Sequence, residues 1–66
     1  MYGIRIKELR KEKKLTQKQL ADILEVDFRT VSFWESETYE PSIKQLIKLC
    51  VFFGVSADYI IGLKDF

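Results

Sequence analysis

The ten residues from Asp27 to Ser36 concentrate side chains able to read a polar surface. Wound as a helix at about 100° per residue, Phe28, Arg29, Ser32, Phe33 and Ser36 fill one arc of about 140°, and Val31, Trp34 and Glu35 fill a separate arc of about 100°. Val31 stands four positions after the polar residue Asp27, and Val26 stands just before it. That places Val31 on the core face and turns the first arc mostly outward. Arg29 could grip the O6/N7 edge of a guanine in bidentate fashion, worth about 1–3 kcal/mol of discrimination. A general phosphate contact is its other use. Ser32 can donate or accept. For the two phenylalanines three uses stand side by side: contact with thymine methyl groups, a protein-facing surface, or, for Phe33, a tilt into the core.

Other chemistries are poorly served. The chain has no histidine and one cysteine, Cys50, so it offers no metal-ligand cluster and no internal disulfide. There is no glycine-rich phosphate loop, and the serines lack a base at a sensible position, which argues against an enzyme or a cofactor site. Cys50 reads as a small packing residue. The longest uninterrupted apolar stretch, Leu49 to Phe53, is far too short to span a bilayer. The N-terminus has no signal-peptide pattern. A cytoplasmic protein without membrane association is expected.

The net charge is only +1, but it is unevenly distributed. Residues 1–33 hold eight cations against five anions, a balance of +3, with Arg10, Lys11, Lys13 and Lys14 close together; residues 34–66 balance to −2. A basic front and an acidic back suit a protein that turns one face to a polyanion. The charge run alone would equally fit a solvated helix face.

The positioning elements are helices. An apolar residue, a polar cap and an apolar residue four positions after the cap recur at Leu15-Thr16…Leu20, Val26-Asp27…Val31 and Val55-Ser56…Ile60. Thr16 with Gln19, and Ser42 with Gln45, also fit the capping box. Five helices follow, over about Gly3 to Lys13, Gln17 to Leu24, Phe28 to Ser36, Ile43 to Phe53 and Ala57 to Leu63. Ile6, Leu9 and Arg10 face inward from the first, and Leu20, Ala21, Ile23 and Leu24 from the second. Gly54 and Gly62 suit the ends of the fourth and fifth. Short linkers make residues 1–66 one all-α domain.

Only about three residues, Glu25 to Asp27, separate the second and third helices, a connection that favours a steep crossing of the helix-turn-helix kind. The ordered set Arg5-Ile6-Lys7-Glu8-Leu9-Arg10, Leu15-Thr16-Gln17-Lys18-Gln19-Leu20-Ala21, Val26, Thr30-Val31-Ser32, Trp34-Glu35, Pro41-Ser42, Leu46, Leu49 and Val55-Ser56-Ala57-Asp58-Tyr59-Ile60-Ile61-Gly62 resembles the Cro/phage-repressor-type (lambda-repressor-like, XRE) helix-turn-helix proteins. The resemblance covers nearly the whole chain. It implies a compact five-helix lambda-repressor-like domain that regulates transcription, as a repressor, by binding double-stranded DNA.

Roles follow from the resemblance where residues match. Gln17 would donate its amide to a phosphate, beside the helix start capped by Thr16 and the cation Lys18. Ser42 and Lys44 would meet the backbone on the other flank. Arg10 and Glu35 would form a partly buried ion pair and leave an arginine edge for phosphate. Asp27, Phe28, Arg29, Ser32 and Phe33 would face the bases. Tyr59, Leu63 and Phe66 would form a two-fold contact, setting a homodimer on a near-palindromic operator. Three residues depart from the family pattern. Glu25 and Glu37 stand where glycine is usual, and Phe28 replaces a polar reader. A protein-interaction or antitoxin-like module on the same scaffold is the competing function, to which Phe28 and Phe33 would lend their surface.

Overall fold

The computed structural model describes residues 1–64. Among them are five helices and no strand: α1 (Tyr2–Glu12), α2 (Gln17–Leu24), α3 (Phe28–Glu35), α4 (Ile43–Phe53) and α5 (Ala57–Ile61). The caps expected from the sequence set most of these bounds. Thr16 and Ser42 each close a reciprocal capping box, with Gln19 and Gln45 respectively. Asp27 accepts from the Arg29 amide, and Ser56 from the Tyr59 amide. Each bond satisfies a first-turn N–H that lacks a partner within its helix.

Three helices differ at their ends from the sequence expectation. α1 runs from Tyr2 to Glu12, and α3 stops at Glu35, one residue early. α5 stops at Ile61 instead of Leu63, because Gly62 turns left-handed (φ 91°) and the Leu63 amide folds back onto the Asp58 carbonyl at 2.7 Å. Three non-glycine residues also take left-handed backbone, Lys14, Glu25 and Glu37. All three sit just beyond a helix, where that conformation returns the next amides to carbonyls of the last turn. Leu15 donates to Arg10, Val26 to Ala21 and Thr38 to Phe33.

One core joins all five helices. Ile6 and Leu9 of α1, Leu20, Ala21 and Leu24 of α2, Val31 and Trp34 of α3, Leu49 of α4 and Ile60 of α5 are buried together. Ala21 is fully buried on α2, which packs on α3. Ile23, expected to face inward, is 47% exposed. The buried stripe of α2 centres between Leu20, Ala21 and Leu24, and Ile23 lies about 110° from that centre. Cys50 is half-buried, and burial pushes its thiol up, so it stays a neutral packing group.

Candidate nucleic-acid interface

The turn at Glu25–Asp27 brings the start of α2 beside the outer face of α3. Thr16, Gln17 and Lys18 line a shallow concavity of about 390 Å³ together with Phe28, Arg29 and Ser32. Six residues singled out from the sequence thus share one surface. It offers a capped helix start, a cation, a neutral amide, an aromatic ring, a guanidinium and a hydroxyl. Such a set matches an anionic backbone beside an edge bearing acceptors and methyl groups.

A buried network holds the rim. Arg10 Nε donates to Glu35 Oε2 at 2.7 Å, and a second guanidinium nitrogen donates to Oε1 at 3.0 Å. The third nitrogen donates to the Leu15 carbonyl at 2.8 Å. The pair is deeply enclosed, with side-chain exposures of 10% and 5%. The hydrogen bonds that Arg10 donates to the Glu35 carboxylate raise the Arg10 pKa above its ordinary value, against the opposing effect of burial. So enclosed, Arg10 presents little of the outward edge expected of it. Gln17 Nε2 donates to Glu35 Oε1 at 3.1 Å, a link that sequence reasoning missed. One carboxylate therefore ties α1, the start of α2 and α3 together. An amide nitrogen carries two N–H groups, so this bond leaves one of them for another acceptor.

The outer face of α3 is also ordered. Asp27 Oδ1 accepts from the Arg29 amide at 2.9 Å and from Arg29 Nε at 3.3 Å, and the guanidinium lies 5.6 Å from the Phe28 ring centroid. Phe28 is 59% exposed. Phe33 lies outside the concavity and packs edge-on against Tyr39, with centroids 5.3 Å apart. Ser42 and Lys44 are exposed at the start of α4.

At the proposed contact between copies, Tyr59 is half-buried with its ring 4.4 Å below the Arg5 guanidinium, and Leu63 is exposed. Phe66 lies outside the described residues. The contact between copies was expected from the sequence at and just beyond the fifth helix, at Tyr59, Leu63 and Phe66. The structure shows a further strip on α4, where Ile43, Ile47 and Val51 are all exposed. Ile47 and Val51, with Ile23, line a groove of about 380 Å³ at the far end of α2 from Gln17. The spacing of the α4 strip at i, i+4 and i+8 was the available signal.

A helix-turn-helix family model matches residues 6–60. The chain belongs to the Cro/C1-type helix-turn-helix family. It is 38% identical over 65 residues to the uncharacterized HTH-type transcriptional regulator YobD of Bacillus subtilis, covering 98% of this chain and 58% of that protein. To the HTH-type transcriptional regulator ImmR of the same organism it is 36% identical, covering 96% of this chain and 49% of that protein. To the HTH-type transcriptional activator BcrR of Enterococcus faecalis it is 37% identical, covering 97% and 31%. A transcriptional regulator from Listeria innocua, solved by crystallography, superposes with a TM-score of 0.87 at 34% identity, over 94% of this chain and 58% of that one. The chain spans about half the length of the curated relatives it matches. Its family is one of regulator domains and not an enzyme family. Among the described residues no helix is long and apolar enough to cross a membrane.

Proposed function

We propose that this chain is the sequence-specific DNA-binding domain of a cytoplasmic transcriptional regulator, a repressor that binds a near-palindromic operator as a homodimer. The concavity shared by the start of α2 and the outer face of α3 carries this conclusion. α3 enters the major groove, and Arg29, Phe28 and Ser32 meet base edges. α2 crosses the backbone. Gln17 gives its second N–H to a phosphate, Lys18 adds charge, and Thr16 holds the helix start that aims its amides at the same anion. Ser42 and Lys44 do the same on the other flank. Arg10 acts chiefly through Glu35, which holds Gln17 in place before DNA arrives. Repression then follows from occupancy of the operator. Tyr59, Leu63 and Phe66 join the two copies.

A random-duplex selection with a salt series tests this. Affinity should fall steeply with salt, because each neutralised phosphate releases counterions. Gln17→Ala should weaken all sequences about tenfold with an unchanged salt slope, since a neutral donor is lost. Lys18→Ala should reduce that slope by about one. Arg29→Ala should flatten base preference. Failure to enrich any sequence at low salt overturns the regulator function. Salt-insensitive capture of a protein in its place would support the module reading, which the exposed strip of α4 favours.

A further inference from the structure

Asp27, Phe28 and Arg29 hold one another in a way that narrows what the start of α3 can read. Asp27 occupies Arg29 Nε, so among the described residues the edge of the guanidinium with both donors unengaged is the terminal pair Nη1 and Nη2. That edge fits two acceptors side by side, as at guanine O6 and N7. The carboxylate also discriminates against the alternative use of Arg29. Two hydrogen bonds, from the Arg29 amide and then from its side chain, hold Asp27 below the usual carboxylate range and hence anionic at neutral pH. An anion beside the guanidinium repels a phosphate but not a neutral base edge.

Phe28 supplies the second half. Its ring lies 5.6 Å from the guanidinium carbon and accepts no conventional hydrogen bond. In a groove its natural contact is a pyrimidine 5-methyl group. A guanine–cytosine pair offers O6 and N7 but no such methyl, so the two contacts fall on different base pairs. The distance between the two groups exceeds one base-pair rise of about 3.4 Å and falls short of two. The two pairs are therefore neighbours.

We infer that Asp27, Phe28 and Arg29 form one reading unit for a guanine adjacent to a 5-methylpyrimidine, with Asp27 as the positioning residue that commits Arg29 to the base. This rests on α3 being the DNA reader. The methyl group is the shared chemistry, and it can come from thymine or from 5-methylcytosine.

The probe is a duplex enriched by the wild-type chain from a random library at low salt. It is resynthesised with thymine, uracil, 5-methylcytosine or cytosine beside the guanine, and with 7-deazaguanine for the guanine. Removing the methyl should cost about fourfold in affinity, and removing N7 about tenfold. Phe28→Ala should abolish the methyl preference and keep the guanine preference. Tighter binding of the thymine duplex assigns the methyl to thymine, and tighter binding of the 5-methylcytosine duplex assigns it to methylated DNA. Asp27→Asn keeps a residue able to cap the helix, so the chain should remain folded by circular dichroism. It should cut discrimination of guanine over adenine at least threefold and steepen the salt slope by about one, as Arg29 becomes available to phosphate.

Equal affinity for the thymine and uracil duplexes overturns the methyl contact. Unchanged discrimination and slope in folded Asp27→Asn overturns the positioning role. Enriched duplexes that lack the step overturn this inference alone. No enrichment of any duplex overturns it together with the function proposed above.

Discussion

Glu25 and Glu37 take the same left-handed backbone, with φ of 59° and 61°, in two places where the family usually has glycine. A side chain in that conformation costs roughly 1–2 kcal/mol. Their side chains differ in what they do. Glu37 reaches back to α1, where its carboxylate accepts from the Gly3 amide at 3.1 Å and pairs with the N-terminal ammonium. Glu25 makes no comparable side-chain contact within the described residues. Glu25→Gly should therefore stabilise the fold by about 0.5–1 kcal/mol, the relief of strain less the extra chain entropy of glycine. Glu37→Gly should lower the melting temperature, because it removes an anchor along with the strain. The ammonium first, and then the Gly3 amide, hold the Glu37 carboxyl below its ordinary value. A depressed pKa stabilises the fold above the unfolded value of about 4.3, and the effect is lost as pH falls through the lower folded value. Glu37→Gln should flatten this part of the acid loss in thermal melts between about pH 5 and pH 2. The strained position at Glu25 was legible from the sequence, as a missing glycine after a helix. The anchor at Glu37 was not, because it joins residues far apart in the chain and only packing brings them together.

Among the elements, α2 and α4 have the bounds expected from the sequence, for a local reason. Each begins at a reciprocal capping box and ends in a left-handed residue, Glu25 or Gly54. At the start of α1 no side chain caps the helix, and tertiary packing takes the place of a local signal. Gly3 shows how. It is buried in the first turn of α1, and a Cβ there would lie 2.6 Å from the Glu35 carbonyl oxygen and 2.8 Å from that of Trp34. Alanine would gain about 1 kcal/mol of helix propensity. A clash with backbone at the end of α3 costs about 1–3 kcal/mol, because the carbonyls cannot rotate away as a flexible side chain would. The clash should win, and Gly3→Ala should lower the unfolding free energy in urea by about 1 kcal/mol. A stabilised Gly3→Ala chain would mean that α1 shifts freely against α3. The shared site was legible in a similar part. Arg29 and Ser32 stood out by residue type and helical phase, and Gln17 through the family resemblance. The bond from Gln17 to Glu35 depends on the crossing of α2 over α3, which no local periodicity encodes.

At the scale of the whole molecule, the near-palindromic operator proposed above would constrain where two copies can touch. The described residues extend over 27 × 23 × 19 Å. Recognition helices on adjacent half-sites stand about 34 Å apart. Two copies in contact have centres no farther apart than about their own diameter, so each α3 must lie outward of its own centre, away from the contact. α5 meets this requirement, since it packs chiefly on α1 and α4, whereas α3 packs chiefly on α2 and α1. Leu63, exposed just beyond α5, should then act at the dimer contact, where a charge would be desolvated without a partner. Leu63→Glu should sediment as a monomer at concentrations where the wild-type chain is a dimer. It should also lose at least tenfold in operator affinity while keeping its affinity for a single half-site. Ile47→Glu, on the exposed strip of α4, should leave both properties unchanged. The reverse pattern would move the two-fold contact to α4. A wild-type chain that stays monomeric at high micromolar concentration, with and without operator, would remove the dimer altogether.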